Sequence, residues 1–181
     1  MTDVTVTHLE MTAPEQLRGP QRECACDYAL LQAEIPCPEY NRFLYTSVGS
    51  QWMWHSRLTW DYARWMAYLD RPEVETWVAT VHGTPAGYFE LERQDKGNVE
   101  LVYFGVMPRF TGQGLGGSLL TDAVNRAWSM GAKRVWVHTC SLDHPHAIDN
   151  YTARGFTPFK VTVEHEELPA QPLEPWPGAD R

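Results

Sequence analysis

Val106-Met-Pro-Arg-Phe-Thr-Gly-Gln-Gly-Leu-Gly-Gly117 is the stretch on which the reading of this chain turns. An apolar run ends at Pro108, four glycines fall within the six residues 112–117, and a helical pattern begins among them. Leu115, Leu119, Ala123 and Ala127 repeat every four residues, with Leu120, Val124 and Trp128 alongside. Gly131 stands where a helix over about 114–130 would stop. Alternating glycines let backbone N–H groups turn toward one point, and a helix N-terminus adds about half a positive charge. Such a turn suits a phosphate. A P-loop would need Gly-Lys-Ser/Thr, which is absent. A dinucleotide fingerprint needs a strand running straight into the glycines and an acid about 20 residues on. Here residues 108–111 intervene, and Trp136-Val-His138 offers no acid.

Outward from the turn, the periodicity upstream is that of strands. Residues 75–81, 86–92 and 99–106 read as strands joined by His82-Gly-Thr-Pro and Asp95-Lys-Gly-Asn, turns short enough for antiparallel hairpins. Downstream, residues 133–140 form a further strand, Pro145 opens a short helix ending at Arg154-Gly155, and residues 156–164 supply one or two closing strands. Near the N-terminus, residues 4–10 alternate as a strand and 12–20 read as loop. Residues 28–34 fit strand or helix. Pro38 suits the first turn of a helix through Tyr45. Residues 58–70 look helical, with Thr59 as cap and Tyr62, Trp65, Met66 and Leu69 on one face. Hairpins followed by helix, strand, helix, strand predict an α+β or mixed α/β fold. One domain is expected over 1–165, then a Pro-rich acidic tail over 166–181.

The chain's 181 residues, 43% of them hydrophobic, suit a single core. A formal charge of -8 argues against general nucleic-acid binding and fits a cationic substrate. No apolar run approaches the roughly 18 residues of a membrane span. The N-terminus lacks the basic start and apolar stretch of a signal peptide, so a cytoplasmic protein is expected. Cys24-Ala-Cys26 is too short for a zinc turn; Cys24, Cys26, Cys37 and Cys140 are expected as reduced thiols, and no metal is expected. The aromatic share of 12% makes a homodimer plausible.

Two segments together resemble a known family. Val106-Met-Pro-Arg-Phe-Thr-Gly-Gln-Gly-Leu-Gly-Gly-Ser-Leu-Leu120 is similar to the acetyl-CoA-binding motif of the GNAT (Gcn5-related) N-acetyltransferases. Ala147-Ile-Asp-Asn-Tyr-Thr-Ala-Arg-Gly-Phe156 resembles the second signature of that superfamily. The resemblance covers roughly residues 74–160. It implies a mostly antiparallel, twisted sheet of six to seven strands flanked by helices and splayed at the acetyl-CoA site. It implies donor contacts from Phe104, Gly105, Val106, Thr111, Gly112, Gln113, Gly114, Leu115, Gly116, Gly117, Asn150 and Tyr151. The family usually has Arg or Gln where this chain has Thr111, leaving Arg109 as the candidate for the missing positive charge. Asp143-His-Pro-His146 stands where many members carry an Asn that touches the pantetheine arm; Asn150 or His144 are the candidate replacements.

The implied chemistry moves an acetyl group to a primary amine of a small molecule or peptide by direct attack on the thioester. Alternatives are a non-catalytic acetyl-CoA-sensing module, or transfer of a different acyl group. An alkylammonium, with a pKa of about 10.4, must lose a proton before it can attack. Glu100 is the first candidate base, at the strand position where several members carry a catalytic Glu. In a regular strand Glu100, Val102 and Phe104 share one face, and Leu101 and Tyr103 the other. Glu90 and Glu92 are alternative bases or anchors for the substrate's charge. Tyr151 is the candidate acid for the leaving thiolate, and the Val106 N–H the polariser of the thioester carbonyl. His138 is a reserve base. Trp52 and Trp54 pack a core or line a substrate wall.

Overall fold

The three predicted hairpin strands build the middle of one twisted sheet. The computed structural model describes residues 1–169; the 170–181 part of the expected tail lies outside them. The chain runs β1 (Thr2–Met11), β2 (Tyr28–Gln32), α1 (Pro38–Gly49), α2 (Tyr62–Leu69), β3 (Val74–Val81), β4 (Thr84–Gln94), β5 (Asn98–Val106), α3 (Leu115–Ser129), β6 (Arg134–Cys140), α4 (Ala147–Ala153) and β7 (Thr157–Glu166). The seven strands lie in the order β2-β3-β4-β5-β6-β1-β7. Among the described residues only β5 and β6 pair in parallel; the other neighbours are antiparallel. This is the mixed α+β architecture expected. Of residues 28–34, Tyr28–Gln32 resolve as strand, and a single strand closes the sheet.

The long helix α3 lies on one face through Leu115, Leu119, Leu120, Ala123, Val124 and Ala127. They share the main core with Leu9, Met11, Phe89, Leu101, Val135 and Val137 of the sheet and with Tyr151 and Phe156. On the opposite face, Leu44 and Val48 of α1 pack on Val78 and Tyr88, and Tyr45 joins Trp65 and Leu69 of α2. The expected cap of α2 is corrected. Asp61, not Thr59, accepts the Arg64 N–H at 2.8 Å, and residues 56–59 are turn. A carboxylate there also faces the positive helix end. Tyr62 is exposed rather than part of the buried face. The thiol expectation is corrected too. Cys24 and Cys26 are joined in a disulfide, their Cα atoms 5.2 Å apart and within reach of one bridge, while Cys37 and Cys140 are free.

Two irregularities of β5 create a cleft. Its pairing with β4 slips between Glu90 and Leu91: Glu90 faces Tyr103, but Leu91 faces Leu101, so Val102 is an extra residue. A bulge of this kind bends the strand and reverses which face each later side chain takes. Leu101 and Phe104 therefore both meet the α3 core, while Tyr103 turns to the α1–α2 side. The expected grouping of Glu100 with Phe104 is corrected accordingly; Glu100 shares its face with Tyr103. The pairing of β5 with β6 also stops at Leu101–Val137, so the two strands part beyond it.

Candidate active site

The gap between the parted strands is a cavity of about 760 Å³. Residues 101–106 of β5 line one side and residues 136–140 of β6 the other. The glycine turn forms one end, through Thr111, Gly112, Gly114, Gly116 and Gly117. Gly112 and Gly114 hold φ values of 79° and 86°, a left-handed backbone that other residues rarely adopt. The first N–H groups of α3, with no intrahelical acceptor, open on this end. This turn has the donors, the dipole and the room that a pyrophosphate needs.

Other expected donor contacts fall elsewhere. Leu115 is wholly buried in the α3 core. Gln113 and Arg109 are absent from the cavity wall. The Gln113 side chain donates instead to the Arg109 carbonyl at 2.9 Å, and Arg109 itself is exposed. Phe104, Gly105, Val106, Asn150, His144 and Tyr151 do line the cavity.

His138 projects from β6 into the cavity, its side chain 44% exposed. Its Nδ1 lies 3.1 Å from Glu100 Oε1. Glu100 is buried and absent from the wall, behind the imidazole. Its second oxygen accepts from Gln94 Nε2 at 2.7 Å, and Gln94 Oε1 accepts from the Trp136 indole at 3.0 Å. The carboxylate is thus held in place and assigns the Nδ1 proton, leaving Nε2 of His138 for the cavity. The hydrogen bond that His138 donates to Glu100 raises the His138 pKa above its usual 6.5. His8, also in the wall with its ring centroid 5.9 Å from that of His138, is shifted the opposite way, first by burial and then by His138 itself.

Tyr151 enters from α4, packed between Phe104 and Phe156 and only 7% exposed. Burial, reinforced by Asp143, raises its pKa, so the hydroxyl keeps its proton at neutral pH. Trp54 forms part of the wall with its ring 4.8 Å from Tyr103, and its indole donates to Asp143 Oδ1 at 3.3 Å. Its seat exists because residue 49 is glycine: a Cβ there would stand 2.2 Å from the indole. Trp52 lines the wall beside His144, ring centroids 4.9 Å apart. Asp143 also accepts from Thr139 Oγ1 at 2.6 Å and the Cys140 N–H at 3.0 Å, fixing the turn after β6. Nothing in the sequence marked that tie.

Glu90 is corrected as a base or substrate anchor. It is 1% exposed and does not reach the cavity. Arg57 Nη2 lies 2.9 Å from one of its oxygens, the Tyr68 hydroxyl donates to the same oxygen at 2.7 Å, and Arg57 Nη1 donates to the other at 3.1 Å. The guanidinium in turn lies over Tyr68, Tyr103 and Trp60. The Glu90 charge is met by an internal cation. Glu92 pairs with Arg71 at 2.8 Å.

The acetyltransferase (GNAT) family model matches residues 30–156, and the chain belongs to that family. No curated protein matches the chain. Among solved structures, a GCN5-related N-acetyltransferase from Sphaerobacter thermophilus is similar with a TM-score of 0.65 at 12% identity, over 90% of this chain and 51% of its own. One from Kribbella flavida gives 0.62 at 17%, over 88% and 56%. The chain thus spans little more than half the length of these two relatives. An acetyltransferase from Bacillus subtilis in complex with CoA gives 0.56 at 21%, over 72% and 77%. Identities this low speak for the shared fold. Among the described residues no helix is long and apolar enough to cross a membrane, and no group of three His, Cys, Asp or Glu is placed to hold a metal ion.

Proposed function

We propose that this chain transfers the acetyl group of acetyl-CoA to a primary amine of a small molecule or peptide. One observation carries the reading: a single cleft joins a glycine phosphate cradle to a carboxylate-backed imidazole and a protonated tyrosine. The CoA complex of the Bacillus relative supports the choice of donor. Bound acetyl-CoA supplies an acyl group activated as a thioester. The cradle at Thr111 and the glycines holds its phosphates. The edge of β5 freed by the splay, from Phe104 to Val106, offers main-chain groups along the arm.

Glu164 and Glu166 line the other part of the cavity with Trp52, Trp54 and Tyr103, a surround suited to a cationic acceptor. Nε2 of His138 takes a proton from the amine, and Glu100 stabilises the imidazolium that results. The N–C bond forms as the C–S bond breaks, and the Tyr151 hydroxyl gives a proton to the departing sulfur. Attack is direct. Cys140, the free thiol in the wall, is pushed up to about 11 by burial and Asp143 and so is not a thiolate nucleophile at neutral pH.

The test is a thiol-release screen with acetyl-CoA against polyamines, amino acids, aminoglycosides and peptides. Release of free CoA with at least one amine, lost in His138→Ala, is expected. Tight CoA binding with no release across the panel would instead mark a non-catalytic acetyl-CoA-binding module.

A further inference from the structure

Residues 12–27, between β1 and β2, cross over the ends of α3 and α4. The path is fixed at several points. Gln16 O lies so close to Gly155 that a Cβ there would be 1.9 Å away. The Arg18 N–H donates to the Arg154 carbonyl at 2.9 Å, and the Ala25 N–H to the Gln113 carbonyl at 2.9 Å. Pro20 packs on Gly117, and Glu23 and Cys24 on Gly114. The loop therefore roofs the glycine turn. It precedes residue 30, where the family match begins.

Beneath this roof is Arg154. It is 3% exposed, yet neither its Nε nor its Nη1 meets a hydrogen-bond partner among the described residues. The Nη1 sits 3.3 Å from where a Cβ of Gly117 would be, in the first turn of α3. A buried guanidinium without an anion is costly. Arg57, also deeply buried, has Glu90. The N-terminus of the 15-residue α3 adds positive potential at the same place. Arg18 and Arg22 stand exposed on the loop, interspersed with Glu15, Glu23 and Asp27.

We propose that Arg154, roofed by residues 12–27 with Arg18 and Arg22 on that roof, forms a phosphate subsite for the donor beside the glycine turn. It supplies the basic fork that Thr111 does not, and a guanidinium can meet two phosphate oxygens at once. The inference rests on the donor reading above. The phosphate is either the pyrophosphate of CoA or its 3′-phosphate.

Calorimetric titration of the full chain, Arg154→Gln and the double variant Arg18→Gln/Arg22→Gln with CoA, 3′-dephospho-CoA and adenosine 3′,5′-bisphosphate tests it, alongside ligand-free melting curves. Arg154→Gln is expected to melt at or above the parent temperature, since an unpaired buried charge is gone. Its CoA affinity should fall about tenfold or more, the scale of one lost charge-assisted hydrogen bond. A loss seen with CoA but not with dephospho-CoA assigns the 3′-phosphate; an equal loss with both assigns the pyrophosphate. The loop variant, which touches no core, should weaken CoA binding too. CoA affinity in Arg154→Gln within about twofold of the parent overturns the subsite. So does a variant that only unfolds while the loop variant binds CoA normally. A parent that binds adenosine 3′,5′-bisphosphate through Arg154 but binds no CoA keeps the subsite and sinks the donor reading.

Discussion

Glu100 Oε1 and His138 Nδ1 are 3.1 Å apart across the parallel pair β5–β6, where the two strands begin to separate. The carboxylate is buried and the imidazole open to the cleft. This contact sets the proton-transfer behaviour expected of the site.

The rate should rise with pH through a midpoint above 6.5, because His138 must be neutral to accept a proton and Glu100 holds its proton more tightly than usual. Glu100→Gln removes that hold, so the midpoint should fall while kcat drops. A pH profile of kcat/KM for both forms measures it; an unmoved midpoint in Glu100→Gln refutes the pairing. His138→Ala should lower kcat by about 10²–10⁴ with CoA affinity intact.

The same shift has a stability consequence. His138 has a raised folded-state pKa, so its contribution is fully present below the unfolded value near 6.5 and is lost as pH rises through the folded value. Melting temperatures across this window should fall less in Glu100→Gln than in the parent.

Tyr151→Phe should keep the fold, since the ring still packs between Phe104 and Phe156. It should lower kcat by about 10²-fold, the lower range for a lost general acid. Single-turnover thiol release separates this from binding; an unchanged rate means that another group protonates the sulfur.

Gly114→Ala combines a φ of 86° with a Cβ 2.8 Å from the Glu23 carbonyl oxygen. It should cost about 1–2 kcal/mol from the backbone alone and weaken CoA binding. Gly49→Ala, which displaces Trp54, should instead raise the acceptor KM and leave CoA affinity alone. Equal effects of the two on donor and acceptor would contradict the division of the cleft.

Arg57→Met leaves Glu90 buried without its cation and should cost about 3–5 kcal/mol. Chemical denaturation measures the loss. At a permissive temperature kcat should change little, because Glu90 does not reach the cleft.

The sequence displayed much of this fold and less of the site. Hairpin turns at His82-Gly83 and Asp95–Gly97, and the four-residue repeat of α3, depend on neighbours along the chain and could be read directly. The Val102 bulge could not: an extra residue in a strand changes no local composition, only the register with β4. The face assigned to Phe104 followed from regular alternation and failed with it. Glu90 looked available because its partner, Arg57, comes from a separate segment and only folding brings the two together. His138 was visible as a histidine near the crevice, but its standing relative to Glu100 depends on which strands pair. Arg154 sat in plain view within Ala147–Phe156; that it would be roofed by residues 12–27 had no signal in the sequence.

In the sheet, β1 lies between two strands that come much later in the sequence, β6 and β7. β1 is made before both of its neighbours, β6 and β7, which belong to residues 134–166. Until those are made, Val4, Val6, Leu9 and Met11 have no sheet to enter. Pairing over such separations is slow and leaves an apolar strand exposed to wrong partners meanwhile. His8 and Val6 are also part of the cleft wall. A ribosome-bound chain that has not yet made β6 therefore lacks part of the cleft wall, which is completed only when β1 docks beside strands made well after it.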